Sequence, residues 1–577
     1  MTSTKRFFRL LQLDRKEIGY IYLYAIFAGI INLSLPVGIQ AIINLMVGGE
    51  VSSSLYLLIG IISLGIALNG FLTVMQLTVT ETLQRRIFSR SAFEFAWRIP
   101  RLKLESLTGL YPPELINRFF DTVTIQKGLP KILIDFSTAV LQIFFGLILL
   151  SLYHPFFVFF GLVLVTILLA IFQLTGRRGL KTSLKESKYK YQVAHWLEEL
   201  GRAMNVFKMS RGSKLPLKRT DDLVVSYLDA RRDHFQVLLV QYGSVVLFKT
   251  IITAALLALG SVLVIRNQIS IGQFVAAEII VILIMNSIEK LILSMDNIYD
   301  VLTGLEKIGF VTDLPLERDE GIPLERLRQE PGLEIELDKV CWKFKDAKRR
   351  TLRDVSLRIT PGEKIVIAGY NGSGKSTLLQ LLGGLYDNFE GMITFNGVPL
   401  RSINPDSLRE RISTLSIQDE IFNGSLIENI HLGDDNIPLS RIIAITKAIG
   451  LHQYVNQLPD GYQTELVGNG LNIPRSSRTK IILARTLISQ PEILLLEDFM
   501  SRIEPQAQTP LWHYLTSQQR PWTMVAITND PRFAAQSDRV IILQEGLVVA
   551  DGPFEEVRKT RYAQEVFQLN RNDLKAS

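Results

Sequence analysis

The 577-residue chain carries 63 Lys and Arg against 56 Asp and Glu, a net charge of +7, and 47% of its residues are hydrophobic. Mean hydropathy is +0.22, and the long apolar runs crowd the first half of the chain, which excludes a single water-soluble domain. The single cysteine, Cys341, excludes an intrachain disulfide and reads as a reduced, cytosolic thiol, while the positive balance reads as basic cytoplasmic loops rather than nucleic-acid binding.

Residues 1–17 interleave Lys5, Arg6, Arg9, Asp14, Arg15, Lys16 and Glu17 with Phe7, Phe8, Leu10, Leu11 and Leu13. This predicts an amphipathic helix at a membrane surface, with no secretory signal peptide. Six apolar stretches of spanning length follow, near 18–46, 54–80, 132–153, 156–176, 241–265 and 272–295. The gaps alternate between short and long. The long ones hold Arg85, Arg86, Arg90, Arg98, Arg101 and Lys103, then Arg177, Arg178, Lys181, Lys185 and Lys188. The short ones hold only Arg266, so the N-terminus and both long gaps face the cytoplasm. Their helical periodicity extends the membrane helices into the cytosol, with short turn helices expected at Pro112–Leu115 and Ala194–Glu199. In the sixth span, Glu278, Glu289 and Asp296 fall within about 20° of one helix face. Two readings stand: a structural Lys249–Glu289 bridge, or an acidic stripe lining a wet path for cationic cargo.

Pro315, Pro323 and Pro331 mark 312–332 as a linker. From 333 to about 570, strand and helix signals alternate, predicting an α/β domain with a parallel sheet, followed by a tail at 571–577. The apolar run Ile365–Ala368 leads into Gly369-Tyr370-Asn371-Gly372-Ser373-Gly374-Lys375-Ser376-Thr377 and then an apolar helical segment. Strand, G-x-x-x-x-G-K-S loop and helix form a phosphate cradle. Loop N–H groups turn inward, the helix N-terminus adds positive potential, Lys375 reaches the β/γ-phosphates of ATP, and the Ser376 hydroxyl sits on Mg²⁺.

Further motifs carry a resemblance. Thr351–Ile359 leading to Pro361-Gly362-Glu363-Lys364 resembles the strand pair before the loop; Ser416-Ile417-Gln418-Asp419 resembles a Q-loop; Thr464–Gly470 resembles the exporter-specific segment before the signature; and Arg539–Leu543 with Gly546 resembles the closing strands. From Lys5 to about Asn570 the chain resembles an ABC exporter half-transporter: an all-α polytopic membrane domain (1–311) with six transmembrane helices, followed by an α/β P-loop NTPase domain (333–570). The resemblance implies a bacterial cytoplasmic membrane location and a dimer holding two ATP molecules between facing nucleotide domains. It implies cytoplasmic turn helices that dock on those domains, Gln418 as metal and coupling contact, and Phe344 as the aromatic that stacks on adenine. Val340, Trp342 and Phe344 alternate, so a core-strand role for Phe344 also stands.

The chain departs from the family where catalysis is placed. After the buried run Ile493–Leu496, Asp then Glu is replaced by Glu497 then Asp498. Glu497 still serves Mg²⁺ through its water shell. Asp498 falls where the resemblance implies the general base on the attacking water, one methylene short, so slow hydrolysis rather than none is expected. The switch histidine falls on Asn529, which donates a hydrogen bond but carries no charge. Leu-Ser-Gly-Gly-Gln falls on Ile473-Pro474-Arg475-Ser476-Ser477. Pro474 has no hydroxyl and no N–H. The segment is then either a plain helix start or a site where Arg475 meets the partner's phosphate by charge. Ser501–Glu504 ends in Glu where the family has Asp.

Three readings follow: a half-transporter paired with a more intact subunit, a homodimeric ATP-gated regulator or channel with deficient hydrolysis, and an exporter that tolerates its departures. ATP-driven membrane export of an unidentified substrate is the favoured reading. Partners expected from it are a second half-transporter, the lipid bilayer, the cargo and, in one arrangement, a periplasmic adaptor, with no nucleic acid. No cysteine-peptidase segment precedes the first span, which lowers the expectation of a leader-trimming peptide exporter.

Overall fold

Apolar runs of spanning length, short of internal breakers, fold in this computed structural model as long helices. The structure describes residues 3–47, 53–210, 212–324, 332–345, 347–416, 420–517 and 520–568. The chain divides into two compact units, Met1–Pro100 with Gly109–Leu314, and Arg101–Thr108 with Pro315 onward.

The helical unit contains α1 (Ser3–Leu13), α2 (Arg15–Asn32), α3 (Ser34–Val47), α4 (Ser53–Arg98), α5 (Pro112–Asn117), α6 (Asp121–Tyr153), α7 (Phe156–Arg202), α8 (Met204–Met209), α9 (Leu215–Ile265) and α10 (Ile271–Thr312). Among the described residues, six helices, counting α2 with α3 and α5 with α6, are long and apolar enough to cross a membrane. The first expected span breaks at Leu33, because Pro36 has no N–H to give to the preceding turn. The turn helix expected near Pro112 forms as α5. The one expected at Ala194–Glu199 does not form: α7 runs through it to Arg202, with no proline to stop it, and the short helix is α8.

Burial ranks the helices. Half of α10's most apolar window is buried, against 6% for α4, so α10 packs at the centre while α4 presents apolar side chains outward. Ala277, Ile280, Ile284 and Ile288 of α10 share a core with Ile143 of α6, Leu164 of α7 and Phe248 of α9. Gly146 lets α6 approach closely, since a Cβ there would lie 3.0 Å from Ile284.

Of the acids Glu278, Glu289 and Asp296 that share a face of α10, the last two are paired with α9. Lys249 Nζ lies 3.1 Å from Glu289, and His234 Nε2 lies 3.4 Å from Asp296. The Lys249–Glu289 pair lies on the fifth and sixth expected spans, where an ionised side chain is retained by having a partner. Glu289→Gln, which leaves Lys249 without that partner, is therefore expected to lower the thermal midpoint and leave cargo preference unchanged. A changed preference in transport assays would restore the acidic-path reading.

The second unit is built on two sheets. Strands β1 (Ile335–Trp342), β2 (Leu352–Ile359), β4 (Glu390–Phe395) and β5 (Val398–Pro399) form an antiparallel sheet in the order β2-β1-β4-β5. The larger sheet runs β12-β11-β3-β10-β9-β6, with β3 (Lys364–Ala368), β6 (Ile412–Leu415), β9 (Ile493–Glu497), β10 (Thr523–Ile527), β11 (Arg539–Gln544) and β12 (Leu547–Gly552). All its pairings are parallel except β11 with β12. Every residue of β3, β9 and β10 is buried, as expected of parallel strands covered on both faces. A two-strand ribbon, β7 (Gly424–Ser425) with β8 (Glu465–Leu466), completes the strands.

The linker expected at 312–332 begins as the last residue of α10; residues 325–331, like the tail at 571–577, lie outside the described residues. The segment Arg101–Thr108 belongs to the α/β unit. Its Leu102 bridges to Leu316, and its Lys103 Nζ lies 2.8 Å from Asp387. The Asp387 N–H donates to Glu105 at 3.0 Å.

Candidate nucleotide-binding site

The parallel strands converge at one end of the sheet, where open α/β folds place their ligands. From the end of β3 the loop Gly369–Gly374 turns into α11 (Lys375–Leu382). Gly369, Gly372 and Gly374 all take positive φ, and the last two show why glycine is required. Gly372 has φ +81°, and Gly374 has φ +101° with a would-be Cβ only 2.8 Å from Leu352. Residues of this loop, of α11 and of the ends of β9 and β10 line a cavity of about 350 Å³.

The cavity brings together Phe344, Asn371, Gly372, Gly374, Lys375, Ser376, Thr377, Glu497, Asp498 and Asn529. Gly369 and Ser373 lie in the same loop behind them. Lys375 Nζ donates to the carbonyls of Gly369 at 2.7 Å and Tyr370 at 2.8 Å, and reaches Ser373 Oγ at 3.4 Å. Burial lowers the Lys375 pKa, and the nearby charges of Asp498 and Glu497 oppose that. Gln418 lies outside the described residues.

At the end of β9, Glu497 is buried and accepts from Ser416 Oγ at 2.9 Å. Among the described residues no group of three His, Cys, Asp or Glu side chains could hold a metal alone. A hydroxyl at Ser376 and one carboxylate at Glu497 suit a Mg²⁺ that keeps most of its shell from phosphate and water. Asp498 follows with φ +33°, a strained conformation for a residue with a Cβ. Its N–H donates to Ile527 O at 3.1 Å. Burial raises its pKa; Arg502 and Lys375 oppose this, and Glu497 adds to it.

Asn529 is engaged on both sides of one residue. Its Oδ1 accepts from the Gly369 N–H at 3.0 Å and its Nδ2 donates to the Gly369 carbonyl at 3.1 Å. The amide offers an acceptor and a donor side by side, so this residue clamps the first glycine of the loop.

Phe344 does not continue the face of Val340 and Trp342. The strand ends at Trp342, and its alternation fails earlier, at Lys339 (φ +47°), where the register shifts. Trp342 is buried, and Phe344 stands edge-on to it at 4.1 Å, 37% exposed at the cavity. Thr351 and Thr528 also line the cavity. Their signals were their places, at the head of the run before β2 and beside Asn529.

Pro474 sits at the N-cap of the helix Arg475–Ile488, with φ −58°, ψ 147° and no side-chain cap. Ser476 and Ser477 are buried in the first turn rather than capping it, and Arg475 is exposed. Glu504 pairs with Lys480 of this helix at 3.2 Å.

The ABC transporter transmembrane region family matches residues 18–288, and the ABC transporter family matches residues 352–501. The chain thus carries, in order, the membrane region and the ABC domain of an ABC transporter. It is 31% identical over 321 residues to the ATP-dependent lipid A-core flippase of Alkalilimnicola ehrlichii, covering 55% of this chain and 53% of that protein. It is 24% identical over 561 residues to the transport/processing ATP-binding protein ComA of Streptococcus pneumoniae, covering 95% of this chain and 76% of that one. The alignments to the flippases span about half the length of those relatives. In fold, the chain is similar to a bacterial Atm1-family ABC exporter solved with ATP bound, with a TM-score of 0.85, 20% identity, and coverage of 96% of this chain and 98% of that one.

Proposed function

We propose that this chain is the ATP-binding half of a dimeric ABC-type exporter, coupling ATP binding and slow hydrolysis to movement of a cargo across the bacterial cytoplasmic membrane. The observation that supports it best is the single cavity in which the phosphate loop, Lys375, Glu497 and Asp498 meet. The loop amides and the α11 N-terminus bind the phosphates, and the Lys375 ammonium neutralises their charge. Phe344, exposed at the rim, stacks on the adenine. Ser376 and, through water, Glu497 would hold a Mg²⁺, which when bound would supply positive charge to the phosphates. Asp498 takes the proton of the attacking water, Gln418 contributes as metal and coupling contact, and Asn529 fixes the loop.

We assign coupling to Arg101–Thr108, which continues the chain from α4 yet packs within the α/β unit through Leu102, Lys103 and Glu105. The relatives' names mention both lipid A-core and transport/processing roles, so the cargo class stays open in this proposal. The test is to purify the full chain in lipid and measure ATP binding and ATP turnover separately. Tight binding with slow, magnesium-dependent turnover is expected. Absence of binding in magnesium would overturn the reading.

A further inference from the structure

A second cavity, in the helical unit, is unrelated to the nucleotide. It has a volume of about 220 Å³ and is lined by α1, the cytoplasmic end of α4, α6 and the end of α10. We propose that it binds the phosphate of an anionic phospholipid from the surrounding cytoplasmic leaflet.

Two ion pairs, Arg90 with Asp14 at 3.0 Å and Arg86 with Glu17, tie α4 to the start of α2. Asp14 sits at the N-cap of α2 and Glu17 lies in its first turn, where the chain enters its first expected span. The wall carries four arginines, Arg6, Arg9, Arg90 and Arg98, and two carboxylates, Glu94 and Asp313. The arginines are not equally committed. Arg6 gives its terminal nitrogens to Glu306 and Asp313, and Arg90 gives its own to Asp14. Arg98 spends only Nε, on Glu94. Arg9 has no ion-pair partner among the described residues. Two guanidinium groups therefore keep donors for a bidentate phosphate contact.

Leu10, Ile87 and Leu305 line the same cavity, giving the first methylenes of an acyl chain an apolar wall beside the charged one. The outer surface favours lipid over a soluble anion. Phe8 of α1 is 58% exposed and Leu13 is 59% exposed, and α1 contains Lys5, Arg6 and Arg9 with no acid. A helix of that composition lies in the headgroup layer of a negatively charged leaflet. Basic pockets between membrane helices on that side hold anionic headgroups.

The test uses the full chain in nanodiscs of phosphatidylcholine, with and without phosphatidylglycerol. Retained lipid is read by native mass spectrometry and stability by thermal midpoint. Wild type is expected to retain phosphatidylglycerol selectively and to melt higher with it, less so at high salt. The double variant Arg9→Gln/Arg98→Gln should lose that retention roughly tenfold or more while melting as wild type in phosphatidylcholine. Should the double variant melt early there, Arg9→Gln alone, at an exposed position, carries the same reading. Undiminished retention in the variants would overturn the proposal. So would an equal rise in midpoint from inorganic phosphate in phosphatidylcholine discs, which would assign the cavity to a soluble anion.

Discussion

Lys375→Ala is expected to weaken ATP binding about 100-fold or more while leaving the unliganded protein as stable as wild type. The loss follows from geometry. Lys375 Nζ is held over the phosphate loop by the carbonyls of Gly369 and Tyr370, at the cavity wall opposite Glu497 and Asp498. A charge-assisted bond from a half-buried ammonium to phosphate is worth roughly 1.5–3 kcal/mol, and the lysine makes more than one. The preserved stability follows from burial, which already lowers the Lys375 pKa, so its removal also removes a desolvation cost. Thermal shift separates the two effects. Wild type should gain roughly 2.7 kcal/mol at 100 times its dissociation constant of ATP, and the variant about 0.4 kcal/mol or less at the same concentration. An undiminished shift would place nucleotide binding elsewhere.

Asp498 carries the second large effect. Asp498→Asn is expected to reduce ATP turnover by about 100-fold or more with ATP binding retained, since general-base catalysis contributes roughly 10²–10⁴. Asp498→Glu should raise turnover if the missing methylene is the limiting fault. Failure to rise would shift the limit to Asn529, already occupied with Gly369, or to the Pro474–Ser477 helix start.

The pH dependence has a definite sign. The Asp498 pKa is raised in the folded state from its ordinary 3.8, chiefly by burial, so the native state holds its proton to higher pH than the unfolded chain. Stability therefore falls as pH rises from 3.8 through the raised value. Asp498→Asn should remove that fall, melting above wild type at neutral pH and converging with it in acid. Wild-type turnover should decline as pH drops through the same raised value, because only the carboxylate accepts a proton. A pH-independent difference between wild type and variant would mean that Asp498 is not the titrating group.

Much of this molecule was legible in linear order. The six spans needed only the length and polarity of apolar runs, because a bilayer admits no unsatisfied backbone and so forces each run into a helix. The phosphate loop was legible because its chemistry is local: glycines, lysine and serine lie at fixed spacing between a strand and a helix. Glu497, Asp498 and Asn529 were singled out only through the resemblance, and they line the same cavity as the loop. What local pattern could not fix was direction and partnership. Phe344 leaves the alternation because β1 ends at Trp342, before reaching it. Glu289 and Asp296 share a helix face in any reading, but only packing against α9 gives them Lys249 and His234. The segment Arg101–Thr108 sits in the chain between α4 and α5, yet only long-range pairing with Leu316 and Asp387 places it in the α/β unit. Periodicity fixes which face a side chain occupies. Which neighbour that face meets depends on contacts tens to hundreds of residues away, and those exist only once the chain has folded.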